Sequence, residues 1–339
     1  MITENRETLI PRKRDRAIDM TKGVLIAMLI FHHIVEVAGQ SGVSDTVLSF
    51  MRSIQMQLIV CYFMPTFFMI TGICSNFDKP FFPFLKNQIK SLIIPAVSFI
   101  LLFHIYQGDS IRHLCGIVMR LFLFGKDFWF LVVLFEAKIV YWFINKHIVD
   151  SRYQILVLIS CSLFGVILNV LDLTQNYFMH RHTLDLLFYL GMGHLLKSYF
   201  KSSKITYWCL GIYLLTLTIY MFFNIRIPYV TYTFGTSLPH WLSHVLLSIS
   251  GSILVLNLCR CMNVDSLIEY MGKKSLAIFL MQWYTLFMFI DMASKNLQNG
   301  TMIETIVVIC SIFISTISIG LLVGYVCDHT KLRYLMGKF

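Results

Sequence analysis

Apolar residues in this chain run in long blocks, with neither the strict alternation of a half-buried strand nor the narrow stripe of a surface helix. Ten blocks approach the roughly 20 mostly apolar residues that a bilayer-crossing helix requires. They cover about 22–38, 54–75, 88–106, 128–146, 155–171, 184–200, 205–223, 240–258, 274–291 and 303–326. The apolar stretch 111–124 is too short to cross and reads as an interfacial or re-entrant helix. No polar segment between blocks is long enough for a soluble domain. The pattern predicts an all-α, polytopic transmembrane helix bundle of about ten spans. It divides into a basic tail (1–21), a membrane domain (22–326) and a short tail (327–339). No internal sequence repeat of the transporter kind is visible.

Composition agrees, with 57% hydrophobic and 14% charged residues in 339. The net charge of +10 would suit nucleic acid, but its placement argues otherwise. With the N-terminus in the cytoplasm, the inner segments hold most lysines and arginines, among them Arg12, Lys13, Arg14, Lys86, Lys90, Lys273, Lys274, Lys331 and Arg333. That is the positive-inside bias of a multi-pass cytoplasmic (inner) membrane protein with both termini cytoplasmic. "MITENRETLIPRKRDRAID" has no cleavable apolar core and reads as a cytoplasmic tail. The nine cysteines lie mostly in apolar blocks and form no CxxC pair, so neither a disulfide framework nor a metal site is expected.

Chemistry concentrates in the first block, "MTKGVLIAMLIFHHIV". Lys22 and His33 are eleven residues apart, which on an ideal helix leaves them about 20° apart and separated by about 16 Å along the axis. Asp19 and Glu36 share the same arc, whereas His32 points about 80° aside. Ionisable groups inside a membrane usually face a bundle interior or a wet cavity. A neutral imidazole there can act as a general base on a hydroxyl, with Glu36 orienting the ring. The plainer alternative is a packed histidine with snorkelling charges, and both readings stand. His32 either packs or replaces His33 if the helix is rotated.

Other polar groups are weaker signals. Lys86 and Lys90 form an i,i+4 pair that could hold phosphates or merely anchor the helix. Glu136 and Lys138 lie in the fourth block about 160° apart, so each should meet a different partner. Glu136 is a candidate acid/base group or a holder of Lys22, or one half of an interhelical pair. Arg181 and His182 in "MHRHTLD", with His180, His240, His244, Tyr177, Tyr229, Tyr232 and Trp241, could line an outer vestibule. The His240/His244 spacing suits a metal but lacks a carboxylate pattern. No GxSxG elbow is present, so a serine nucleophile is not expected and direct assistance by His33 is favoured, with a covalent relay left open.

Five segments, in order, resemble the acyltransferase-3 family of integral membrane acyltransferases: "IDMTKGVLIAMLIFHHIV", "MPTFFMITG", "FLKNQIKSLIIPA", "FWFLVVLF" and "YMGKKSLAIFLMQWY". Asp19, Lys22 and His33 match the family's Asp, Arg and His, lysine replacing arginine. Trp129 matches its Trp-Phe-Leu segment. Gln282 stands where a histidine often follows the late helix. The resemblance implies an acyltransferase enzyme, with acyl-CoA (usually acetyl-CoA) as donor and an extracytoplasmic carbohydrate or glycolipid as acceptor. With the residue reading above, the candidate donor contacts are Lys22, Lys86, Lys90 and Asp19, and the candidate acceptor contacts are Trp129 and Gln282 from the resemblance and Arg181 and His182 from the vestibule. His33, Glu36 and Glu136 are the candidate catalytic groups. The lipid bilayer is the other partner, nucleic acid is not, and a homo-oligomer is open. The rival class is an exporter of a glycan or lipid-linked glycan intermediate.

Overall fold

Each of the ten apolar blocks is met by a helix in the computed structural model. It describes residues 15–40, 60–109, 113–124, 128–170, 180–222, 238–262, 267–297 and 302–338. The helices are α1 (Arg16–Gln40), α2 (Val60–Cys74), α3 (Phe81–Tyr106), α4 (Leu114–Phe124), α5 (Trp129–His147), α6 (Ser151–Val170), α7 (His180–Leu195), α8 (Ser203–Phe222), α9 (Leu238–Cys261), α10 (Leu267–Lys273), α11 (Ser275–Leu297) and α12 (Met302–His329). No strand occurs among the described residues. Five helices there are long and apolar enough to cross a membrane, by length and composition. The total of ten crossings and the cytoplasmic placement of both ends go beyond that and stay expectations. The short block at 111–124 forms α4, of 11 residues.

Several boundaries differ from the hydropathy reading, and two of the starts show why. α3 begins at Phe81 and not near 88, because prolines are compatible with a first turn and Pro80 and Pro83 sit there. α7 begins at His180, so "HRHT" belongs to the helix and not to the loop before it.

Prolines inside helices are accommodated individually. Pro65 in α2 has no N–H to give the carbonyl four residues earlier. That carbonyl belongs to Cys61, and the Ser248 hydroxyl of α9 donates to it at 2.6 Å. Pro95 in α3 follows a π-helical turn at Ile89–Ile93, where the wider winding relieves the clash a proline makes with the preceding turn.

α1 is the hub. It packs against α2, α9, α10, α11 and α12, and Leu25, Ile26, Ile30 and Ile34 are fully buried. α7 is a second inner helix, held by α2, α5 and α6, with Leu186 to Leu190 buried in succession. α8 and α12 lie outside; Tyr207, Trp208, Leu215, Ile303 and Ile314 expose apolar surface fit for lipid. The α1–α10 crossing near Lys22 is a close one. A Cβ on Gly23 would stand 1.9 Å from the Ile268 carbonyl oxygen, and one on Gly272 1.7 Å from that of Asp19. Only hydrogen fits at both points, as in small-residue crossings of membrane helices. An ionic clasp adds to it: Arg16 Nε donates to Glu269 Oε2 at 3.0 Å, and Lys273 pairs with the same carboxylate.

Candidate active site

The residues that line one cleft explain why α1 carries charge. An apolar cleft of about 200 Å³ lies between α1, α2, α3, α5 and α11. α1 contributes Lys22, Ile26 and Leu29, and α11 contributes Ser275, Leu276 and Phe279. Both are helical stripes. On α1 the next position of the 22/26/29 series is His33, and on α11 the next are Gln282 and Trp283. The His33 and Trp283 rings do meet, with centroids 4.8 Å apart. Lys22 and His33 thus share one face, Lys22 on the cleft and His33 one turn beyond Leu29.

This junction carries polar atoms without hydrogen-bond partners among the described residues: His33 Nδ1, Trp283 Nε1, and both amide atoms of the fully buried Gln282. Buried polar groups in folded proteins are nearly always satisfied, so such a concentration marks a place built to meet something polar. Glu36 lies alongside, its Oε2 3.8 Å from His33 Nδ1 and 3.5 Å from His32 Nε2. His32 itself is buried beside Phe63, with ring centroids 5.9 Å apart. Trp283 was not singled out from the sequence; its only signal was adjacency to Gln282.

At the Lys22 end, Asp19 is buried on the turn below. Lys90 lies in the π-helical turn of α3, followed by Ser91 and Leu92, which line the cleft. Lys86 is exposed one turn earlier. Lys138 of α5 and Cys74 of α2 are within electrostatic reach of Lys22.

The remaining candidates gather elsewhere, between α5 and α7. Glu136 Oε2 accepts from the Thr183 hydroxyl at 2.7 Å, and the Trp129 ring lies 5.6 Å from that of His182. Glu136 therefore bonds to α7. Arg181 is half-buried in the same first turns of α7. Next to this group is a polar chain the sequence reading missed. Trp241 Nε1 donates to Ser162 Oγ at 2.9 Å, and Ser162 donates to the buried Asp185 at 2.8 Å. Asp185 was visible as an acid inside an apolar block. His244, fully buried, bonds through Nδ1 to the Tyr189 hydroxyl at 3.0 Å and not to a vestibule. Tyr177, Tyr229 and Tyr232 lie outside the described residues.

The lysines of "GKKS" have structural partners. Lys273 meets Glu269, and Lys274 is tied to Asp328 and to the Gly324 carbonyl at 3.2 Å. Glu269 lies between Lys273 and Arg16, which hold its carboxyl below the usual glutamate range, the hydrogen bond from Lys273 being the larger cause.

Compared with known families, residues 15–325 match the family model described as "Acyltransferase domain". No curated protein and no solved structure matches the chain.

Proposed function

The chain belongs to the acyltransferase-3 family, and from that premise we propose that it is an O-acyltransferase. In this reading it moves an acyl group, acetyl above all, from cytoplasmic acyl-CoA to a hydroxyl of an extracytoplasmic glycan, with His33 as general base. Membership and the apolar helices mark an integral, multi-pass membrane protein of acyltransferase type; donor, acceptor and base are the part proposed.

The observation that carries the reading is the cleft lined on α1 by Lys22, Ile26 and Leu29, a stripe whose next position, one turn beyond the lining, is His33. Lys22, Lys86 and Lys90 supply point charges for the CoA phosphates at one end. The apolar walls take the pantetheine arm, which brings the thioester toward His33. The acceptor oxygen attacks the thioester carbon while the His33 imidazole takes its proton. The tetrahedral intermediate collapses, the carbon–sulfur bond breaks, and the imidazolium returns the proton to the leaving thiolate. Glu36 Oε2, 3.8 Å from His33 Nδ1 and so short of a hydrogen bond, favours by its charge the tautomer with Nδ1–H toward it, which leaves the Nε2 lone pair as the base. Gln282 and Trp283 offer an amide and an indole N–H beside the reacting centre.

The test is incubation of the purified protein, or of membranes, with labelled acetyl-CoA, following CoA release and label in glycan. His33→Ala, at matched expression, is expected to lose transfer by 10²-fold or more, the order ascribed to general base catalysis (roughly 10²–10⁴). Normal transfer by that variant would refute the role of His33. Export of glycan lost with acylation unchanged would support the exporter reading instead.

A further inference from the structure

His32, His33 and Glu36 do more than share a helix. One ligand-capable atom from each lies within 4.8 Å of the other two. Two of the three separations are tighter, 3.5 Å from His32 Nε2 to Glu36 Oε2 and 3.8 Å from His33 Nδ1 to the same oxygen. A tetrahedral zinc ion with bonds of about 2.0–2.2 Å needs its ligand atoms about 3.3–3.6 Å apart. The triad therefore needs only small side-chain rotations to close on an ion. The helix supplies the spacing, since positions i, i+1 and i+4 put two imidazoles next to one carboxylate. We propose that these three residues bind a divalent first-row transition metal, zinc foremost, and that its binding switches off His33 as a base.

The ligand set decides the class of ion. Two imidazole nitrogens and one carboxylate suit zinc, cobalt, nickel or copper; magnesium and calcium want oxygen ligands. Three protein ligands leave a fourth position for water. Access follows from burial: His32 is 2% exposed, His33 16% and Glu36 46%, so the site opens through Glu36. The site differs from a catalytic zinc centre in one respect. Its ligand His33 is the residue whose lone pair the reaction needs.

The switch follows from the chemistry of a neutral imidazole, which has one N–H and one lone pair. A metal on Nδ1 takes that lone pair, and the ring's single proton then resides on Nε2. No lone pair remains to accept the proton of the acceptor hydroxyl. No bond to carbon changes, no electron moves, and removal of the metal by a chelator restores the base. The inhibitory half rests on the acyl-transfer reading above; the metal site does not.

Two measurements test it on the full-length protein purified in detergent and stripped with EDTA. Calorimetric titration with ZnCl₂, and visible absorption with CoCl₂, are expected to give one metal per chain, with no response to MgCl₂. His32→Gln, which keeps the side chain's bulk, is expected to weaken zinc binding at least tenfold. Glu36→Gln, at the most exposed of the three positions, is expected to do the same and serves should the buried variant fail to fold. Absence of saturable 1:1 binding, or unchanged affinity in both variants, overturns the site. In the transfer assay, wild type is expected to be inhibited by zinc and rescued by EDTA. His32→Gln is expected to need at least tenfold more zinc for half-inhibition of whatever transfer it retains. Zinc bound by the triad with transfer undiminished overturns the switch. Absence of transfer in metal-free wild type falls on the acyl-transfer reading alone, and the metal site is then judged by the titrations.

Discussion

Gly272→Ala is the sharpest perturbation of the α1–α10 crossing. The new methyl would stand 1.7 Å from the Asp19 carbonyl oxygen, where ordinary van der Waals contact begins near 3.4 Å. The two helices would have to separate by the difference, about 1.7 Å, or tilt apart. The obstacle is backbone, not the far end of a flexible side chain, so local yielding is small. Overpacking in a well-filled interior costs about 1–3 kcal/mol, and a backbone obstacle puts this case near the top of that range. At roughly 2–4 °C per kcal/mol for a large domain, the melting temperature should fall by about 5–10 °C. Gly211→Ala is the matched control, because nothing lies within 4 Å of a Cβ there. In α8 it should be neutral or gain up to about 1 kcal/mol from helix propensity. The assay is thermal unfolding of both variants in the same detergent. Equal melting temperatures for Gly272→Ala and Gly211→Ala would refute the close crossing.

Two further outcomes are expected. Gln282→Leu removes two buried polar atoms that lack partners among the described residues; by the cost of such groups it should raise stability by about 1–3 kcal/mol while lowering acyl transfer. A loss of stability would show instead that the amide is bonded in the folded protein. The Arg16–Glu269–Lys273 clasp has a carboxylate whose folded pKa lies below the ordinary value. Its contribution is therefore complete above the ordinary glutamate range, about 4.3, and is lost as pH falls through the depressed folded value. Wild type should lose melting temperature more steeply than Glu269→Gln below that range, and parallel curves would count against the clasp.

Much of the helical plan was legible because a membrane makes hydrophobicity nearly sufficient: an apolar block of the right length has few other ways to satisfy its backbone. Starts were less legible. α3 and α7 extend outward through polar and proline-containing residues that hydropathy discards. The partition of the site was legible only where a single helix defined it. Lys22 and His33 share a face by arithmetic within α1, and Glu136 and Lys138 oppose each other by arithmetic within α5. Which helix receives each of them is a tertiary fact. Thr183 beside Glu136 and Trp283 beside His33 required the packing of α5 on α7 and of α1 on α11. Asp185 and Ser162 show the same limit, since a serine in an apolar block gives no sign of the carboxylate it will meet.

The helices around the cleft differ mechanically. α1 runs from Arg16 to Gln40 without proline or a π turn, and it carries both Lys22 and His33. Two of the four other helices on the cleft are interrupted, α2 at Pro65 and α3 at the π turn before Pro95. Bending concentrates at such interruptions. The cleft is thus bounded by a stiff rod that carries the lysine and by two jointed staves among its other walls. When it widens, the staves move, and the distance from lysine to histidine, being a length along a single rod, does not change.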